Sequence, residues 1–192
     1  MIICQLAGFL GSGKTTLLIR LGTALGRAGR RVAIIVGVDG AVIESNGLRS
    51  VELTEGCICC SLSGSLQNTL RQITKEYSPD MIMLEPTGLA LPNKIKQIVR
   101  TSMIGEKRTF TICLIDAFRA SKLFAEAGAF LSRQVDGADV VAINKVDLVS
   151  DDVREQVEST IRGISPSVPI IFISAREGSG IDELINMLED AL

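Results

Sequence analysis

The 192-residue sequence contains no histidine. Any metal site it builds must therefore draw on thiolates, carboxylates, backbone carbonyls and water. It also lacks an apolar run of the roughly 18 residues that a membrane-spanning helix needs. Its first apolar stretch, Ile2–Ala7, leads straight into a glycine-rich segment, with no charged leader and no cleavage site. Neither sign of charge dominates: 20 basic and 22 acidic side chains leave a net charge of −2. That balance recommends neither a nucleic-acid nor an anionic-membrane surface. The local basic cluster of Arg27, Arg30 and Arg31 reads as a solvated helix end. Internal repeats, low-complexity tracts and Pro/Ser-rich linkers are absent. An odd set of five cysteines, three of them crowded at Cys57, Cys59 and Cys60, excludes a conventional secreted disulfide framework. The expectation is a cytoplasmic protein.

What is present is a regular alternation. Short apolar runs at Ile2–Ala7, Arg31–Val36, Val51–Thr54, Met81–Leu84, Arg108–Ile115, Val140–Ile143 and Ile170–Ile173 predict strands. The amphipathic stretches Lys14–Gly29, Ser61–Glu76, Leu91–Thr101, Ala117–Val135, Ser150–Ile164 and Gly180–Leu192 predict helices between most of them. Strand–helix alternation with apolar strands predicts one α/β domain, a mostly parallel sheet covered by helices on both faces. Ligands of such sheets bind at the carboxyl ends of the strands.

The residues at those ends carry the chemistry. Gly8-Phe9-Leu10-Gly11-Ser12-Gly13-Lys14-Thr15, followed by Thr16, satisfies G-x-x-x-x-G-K-[ST] after a strand and before a helix. The glycines let backbone N–H groups turn inward around phosphate oxygens at a helix N-terminus. Lys14 is placed to reach the β- and γ-phosphates, and Thr15 to bind Mg²⁺. Glu85-Pro86-Thr87-Gly88 follows the run Met81–Leu84. A carboxylate there can orient Mg²⁺ or the attacking water, and Gly88 can offer its N–H to the γ-phosphate. Asn144-Lys145-Val146-Asp147 follows the run Val140–Ile143. The Asp147 carboxylate can accept from the N1–H and N2–H₂ edge of guanine, donors that adenine lacks. Asn144 braces that loop and Lys145 packs along the base, while Ser174-Ala175 supplies a further loop near guanine O6. A plain helix cap by Asp147 or Ser150 is the alternative.

Glu55-Gly56-Cys57-Ile58-Cys59-Cys60 lies between a short strand and a helix start, a setting that favours thiolates. Three thiols offer at most three ligands, so a fourth must come from elsewhere, such as water, Asp39 or Glu44. An incomplete set suits a metal that is loaded and handed over; redox chemistry and simple packing are the alternatives. Cys4 and Cys113 fall inside apolar strands and read as core thiols.

With these motifs in view, the chain resembles the CobW-like metal-chaperone GTPases, relatives of the urease and hydrogenase nickel-insertion GTPases. The resemblance is carried by Gly8–Thr16, Glu52–Leu62, Glu85–Gly88 and Asn144–Asp147, with less specific support from Leu114–Phe118 and Leu131–Val141. It implies a three-layer SIMIBI-class P-loop fold, slow GTP hydrolysis to GDP, and Zn²⁺ or Co²⁺ held by Cys57, Cys59 and Cys60 for delivery to a client protein or cofactor pathway. It also implies a homodimer. The sequence departs from the family where Ile35-Val36 runs into Gly37-Val38-Asp39-Gly40, without the family's Asn-Glu-Phe-Gly-Glu. Asp39 matches the aspartate that follows that segment and is taken, with Lys14 and Glu85, as catalytic; Asp39 and Glu85 join Thr15 around Mg²⁺. Residues 1–192 are read as the GTPase domain alone, without the family's C-terminal domain. A regulatory switch with the cysteines as a structural zinc clip is the competing reading.

Overall fold

The apolar runs become β1 (Ile2–Gly8), β2 (Val32–Gly37), β3 (Arg49–Leu53), β4 (Met81–Glu85), β5 (Thr109–Asp116), β6 (Val140–Asn144) and β7 (Ile170–Ile173). The computed structural model describes residues 1–37, 49–53 and 63–192, with backbone only for 37, 49–53 and 63–65. The seven strands form one sheet in the order β3-β2-β4-β1-β5-β6-β7. Expected to be mostly parallel, the sheet has every strand pair parallel among the described residues. The helices α1 (Lys14–Arg27), α2 (Ser63–Tyr77), α3 (Pro92–Thr101), α4 (Ala120–Asp136) and α5 (Asp151–Ile164) lie in the crossovers that parallel pairing requires, and α6 (Ile181–Ala191) follows the last strand.

Alternation along the strands sorts the core into two faces. Ile2, Cys4 and Leu6 of β1 meet Leu17, Leu18, Leu21 and Leu25 of α1 and Leu184 and Leu188 of α6. The opposite face divides between α2 with α3, packed on Ile3, Ile82 and Leu84, and α4 with α5, packed on Ala7, Cys113 and Ile143. Burial pushes the thiol pKa of both Cys4 and Cys113 up to about 12, so they are inert core thiols.

Two helix boundaries differ from the expected ones for local reasons. α1 ends at Arg27, short of Gly29, because Gly29 adopts φ +85. Its N–H bonds Gly26 O and that of Arg30 bonds Leu25 O, both at 3.0 Å, closing a Schellman motif. α4 starts at Ala120 and not Ala117. There Asp116 Oδ1 accepts from the N–H groups of Phe118 (3.1 Å) and Arg119 (3.3 Å), stabilising a turn before the helix.

Candidate functional site

The order of the sheet determines which loops meet. β1 lies between β4 and β5, and β6 follows β5. The loops after these four strands therefore share one rim, at the carboxyl ends where such sheets bind ligands.

The loop after β1 holds the predicted phosphate site. Gly8, Gly11 and Gly13 have φ of +136°, +74° and +99°, values that side chains resist. Lys14 folds back, its Nζ donating to Gly8 O at 3.1 Å and Phe9 O at 3.3 Å. Lys14 is 5% exposed, and burial lowers its pKa against the opposing pull of the Glu85 carboxylate. A bound polyphosphate would supply counter-charge to this desolvated ammonium. Ser12 Oγ is buried without a hydrogen-bond partner among the described residues.

Glu85 ends β4 beneath this loop. The Thr15 hydroxyl donates to Glu85 Oε1 at 2.8 Å, while Oε2 is buried and unpartnered among the described residues. Burial raises the Glu85 pKa, partly offset by the Thr15 bond and the Lys14 charge. A hydroxyl beside a carboxylate with one free oxygen is a hard donor set that fits Mg²⁺. Gly88 packs against the phosphate loop so closely that a Cβ there would lie 2.7 Å from Leu10 N.

The loop after β6 is tied to the same site. Asn144 Nδ2 donates to Ser12 O at 2.7 Å, and Asn144 Oδ1 accepts the Ala175 N–H at 2.9 Å. One buried amide thus joins the phosphate loop, the Asn144–Asp147 loop and the loop after β7. Ser174 is buried there, and its Oγ accepts the Glu177 N–H at 3.1 Å. Lys145 sits at φ +67° and donates its ammonium to Asp116 Oδ2 at 2.7 Å. Asp147 lies in a single 3₁₀ turn, Val146–Leu148. Neither Asp147 nor Ser150 forms a side-chain cap there. A pocket of about 250 Å³ opens between Gly13, Thr16, Lys145, Asp147, Ala175 and Arg176. It adjoins the phosphate loop and has room for a purine base.

The structure therefore brings Gly8, Gly11, Ser12, Gly13, Lys14, Thr15, Thr16, Glu85, Gly88, Asn144, Lys145, Asp147, Ser174 and Ala175 to one rim. Asp39, Cys57, Cys59 and Cys60 lie outside the described residues. Among the described residues no group of three or more cysteines and carboxylates converges as a metal site would. The sequence reading missed three side chains of the site: Asp116, Arg119 and Gln134. Gln134 is fully buried, its Nε2 3.2 Å from both Gly88 O and Ala90 O, so it holds the loop after β4. Asp116 had a readable signal, since it closes an apolar strand as Glu85 does.

Residues 2–172 match the profile of the CobW/HypB/UreG nucleotide-binding domain. Among curated proteins, the zinc chaperone YeiR of Escherichia coli (strain K12) is 28% identical over 162 residues, covering 80% of this chain and 49% of that protein. The zinc chaperone YjiA of the same strain is 28% identical over 186 residues, covering 90% and 57%. The chain thus spans about half the length of these relatives. Among solved structures, the hydrogenase maturation factor HypB from Archaeoglobus fulgidus superposes with a TM-score of 0.72 at 19% identity, over 99% of this chain and 89% of that one. A Zn(II)-bound triple mutant of YjiA gives 0.70 at 23% identity, over 90% and 57%. At these identities the structural likeness establishes the α/β P-loop fold.

Proposed function

Since the chain belongs to the CobW/HypB/UreG family of GTPases, we propose that it is a slowly hydrolysing, GTP-gated metallochaperone. It holds a transition metal on Cys57, Cys59 and Cys60 and delivers it to a client protein. Zinc stands first among the candidate metals, because the curated relatives are named zinc chaperones; thiolates also suit cobalt.

The observation that carries the nucleotide half of this reading is the Asn144 amide, which couples Ser12 to Ala175 around the base pocket. In this reading Asp147 accepts from the guanine edge, and Lys145 and the Ser174-Ala175 loop flank the base. Gly8, Gly11, Ser12, Gly13, Lys14, Thr16 and Gly88 serve the phosphates. Thr15 and Glu85 hold Mg²⁺, with Asp39 as the further carboxylate. The cation, when bound, neutralises charge on the β- and γ-phosphates. Burial raises the Glu85 pKa, and a cation held there would favour its ionised form. The γ-phosphate contact at Gly88 is lost on hydrolysis, which relaxes the loop that Gln134 holds. Leu10, Leu89 and Phe118 expose 76%, 67% and 67% of their surface at the mouth of this site, which supports a homodimer closing over the nucleotide face.

The test is competitive titration of the reduced protein with Zn²⁺ or Co²⁺, in the presence of Mg²⁺ with non-hydrolysable GTP, Mg²⁺ with GDP, or no nucleotide. The expected result is a nucleotide-dependent metal affinity that disappears in Cys59→Ser/Cys60→Ser, as reciprocal linkage demands. An affinity indifferent to nucleotide would overturn the gated carrier and leave a GTPase switch with a structural or redox thiol cluster.

A further inference from the structure

One buried carboxylate sits between the two halves of the nucleotide site, and an arginine extends it to the phosphate loop. Asp116 has no exposed side-chain surface, and its Oδ2 accepts from Lys145 Nζ and Arg119 Nε, each at 2.7 Å. Arg119 continues outward: its Nη2 donates to Leu10 O at 2.7 Å. The guanidinium also lies against Gly11, where a Cβ would stand 3.1 Å from Nη2.

The contact falls on a turn peptide of the kind that β-turns present in either of two orientations. Phe9–Ser12 is a turn closed by the Ser12 N–H to Phe9 O at 3.1 Å, and its third residue, Gly11, has φ +74°. Positive φ at that position marks a type II turn. Type I and type II turns differ by a flip of the central peptide, here Leu10–Gly11. In a trans peptide the carbonyl and the N–H point in opposite directions. With Leu10 O held by Arg119, the Gly11 N–H faces away from that carbonyl. A cation on the carbonyl also polarises the amide and makes that N–H a stronger donor.

We propose that Arg119 is a positioning residue for GTP hydrolysis: it fixes the Leu10–Gly11 peptide with its N–H toward the triphosphate and, through the Asp116 it shares with Lys145, links base occupancy to phosphate geometry. The inference rests on the GTP-hydrolysis reading above and adds a residue that the motifs do not contain. Arg119 touches neither base nor phosphate in this role. It acts through one peptide group and one carboxylate.

The experiment compares steady-state hydrolysis of GTP and ITP by the wild type, Arg119→Ala and Arg119→Lys, with melting curves to establish folding. Inosine lacks the 2-amino donor, so it weakens base contacts while leaving the phosphates unchanged. In the wild type, ITP is expected to raise KM and also to lower kcat. Arg119→Ala should lower kcat for GTP about tenfold and give GTP and ITP the same kcat, leaving a difference in KM alone. Arg119→Lys, which keeps a cation able to reach Leu10 O, should recover at least a threefold part of that loss. A kcat of Arg119→Ala within about twofold of wild type would overturn the proposal. So would an ITP-to-GTP ratio of kcat that is the same in both proteins. Where Arg119→Ala fails to fold, Arg119→Met, which keeps the apolar stem and removes the cation, takes its place: a lowered kcat and equal kcat for GTP and ITP support the role, and wild-type values of both exclude it. Absence of GTP turnover in the wild type would instead sink the underlying GTPase reading.

Discussion

Asn144 and Ser12 are 132 residues apart in sequence, and a buried 2.7 Å bond from the Asn144 amide to the Ser12 carbonyl holds them together. The same amide accepts the Ala175 N–H, so base loop and phosphate loop share one brace. Asn144→Ala leaves a buried carbonyl and a buried N–H without partners, each costing roughly 1–3 kcal/mol. The expected outcome is a loss of about 2–4 kcal/mol in urea denaturation. A fluorescent GTP analogue should also bind at least about tenfold more weakly.

Glu85 is held in the opposite balance, its charge opposed by burial. Its pKa is raised in the folded state by burial, so its contribution to stability is complete below the unfolded pKa and is lost as pH rises through the folded one. Ionised Glu85 therefore destabilises the nucleotide-free protein at neutral pH. Glu85→Gln retains an acceptor for Thr15 and should raise the melting temperature at pH 7 by a few degrees, the scale of about 1 kcal/mol. The advantage should fade below the ordinary carboxylate range, where glutamate is protonated in both states. GTP hydrolysis should fall in the same variant. A Glu85→Gln protein that melts at or below wild type throughout this range would refute the argument.

Gly88 allows two loops to touch. Gly88→Ala would press a methyl group to 2.7 Å from Leu10 N, against backbone that cannot swing aside as a side chain can. A destabilisation of about 1–3 kcal/mol is expected, together with weakened nucleotide binding measured by isothermal titration. Retention of wild-type affinity would show that the phosphate loop can give way at Leu10.

Away from the site, Asp139 anchors the start of β6. Burial pushes its pKa up, but Arg108 at 2.6 Å, the Thr111 N–H at 2.8 Å and Lys96 at 3.4 Å outweigh it and hold the carboxyl below its ordinary range. A depressed folded pKa adds stability that is present above the unfolded pKa and disappears as pH falls through the folded one. Asp139→Asn should cost about 1–3 kcal/mol at pH 7, with the gap to wild type closing in strong acid. Chemical denaturation at a series of pH values checks both the magnitude and the direction.

Much of this was legible in the sequence because it is local. The glycines and Lys14 declare the phosphate loop through spacing alone, and the seven apolar runs marked all seven strands to within two residues at either end. Gly29 carried its helix-stop signal as well, and it was read as the last helical residue where it is the turn beyond. Gln134 had no such signal. A glutamine within an amphipathic helix looks solvent-facing until the fold places Gly88 O and Ala90 O, more than 40 residues away in sequence, within reach of its amide. Arg119 was hidden for the same reason, since its partner Leu10 is 109 residues away. Side chains whose role is to join loops leave no periodicity.

The central position of β1 has a consequence for how the chain is made. Its neighbours β4 and β5 begin at Met81 and Thr109, and until they arrive β1 has two open edges and the phosphate loop has neither Glu85 nor Asp116 beside it. At about 5–20 residues per second, synthesis leaves roughly 100 residues, some 5–20 s, between the first strand and the second of its partners. Long-range parallel pairing is slow for the same topological reason. Nucleotide capture should therefore be among the last events of folding, and GTP should act on the nascent chain as a late-stage ligand that pulls the finished sheet forward by mass action.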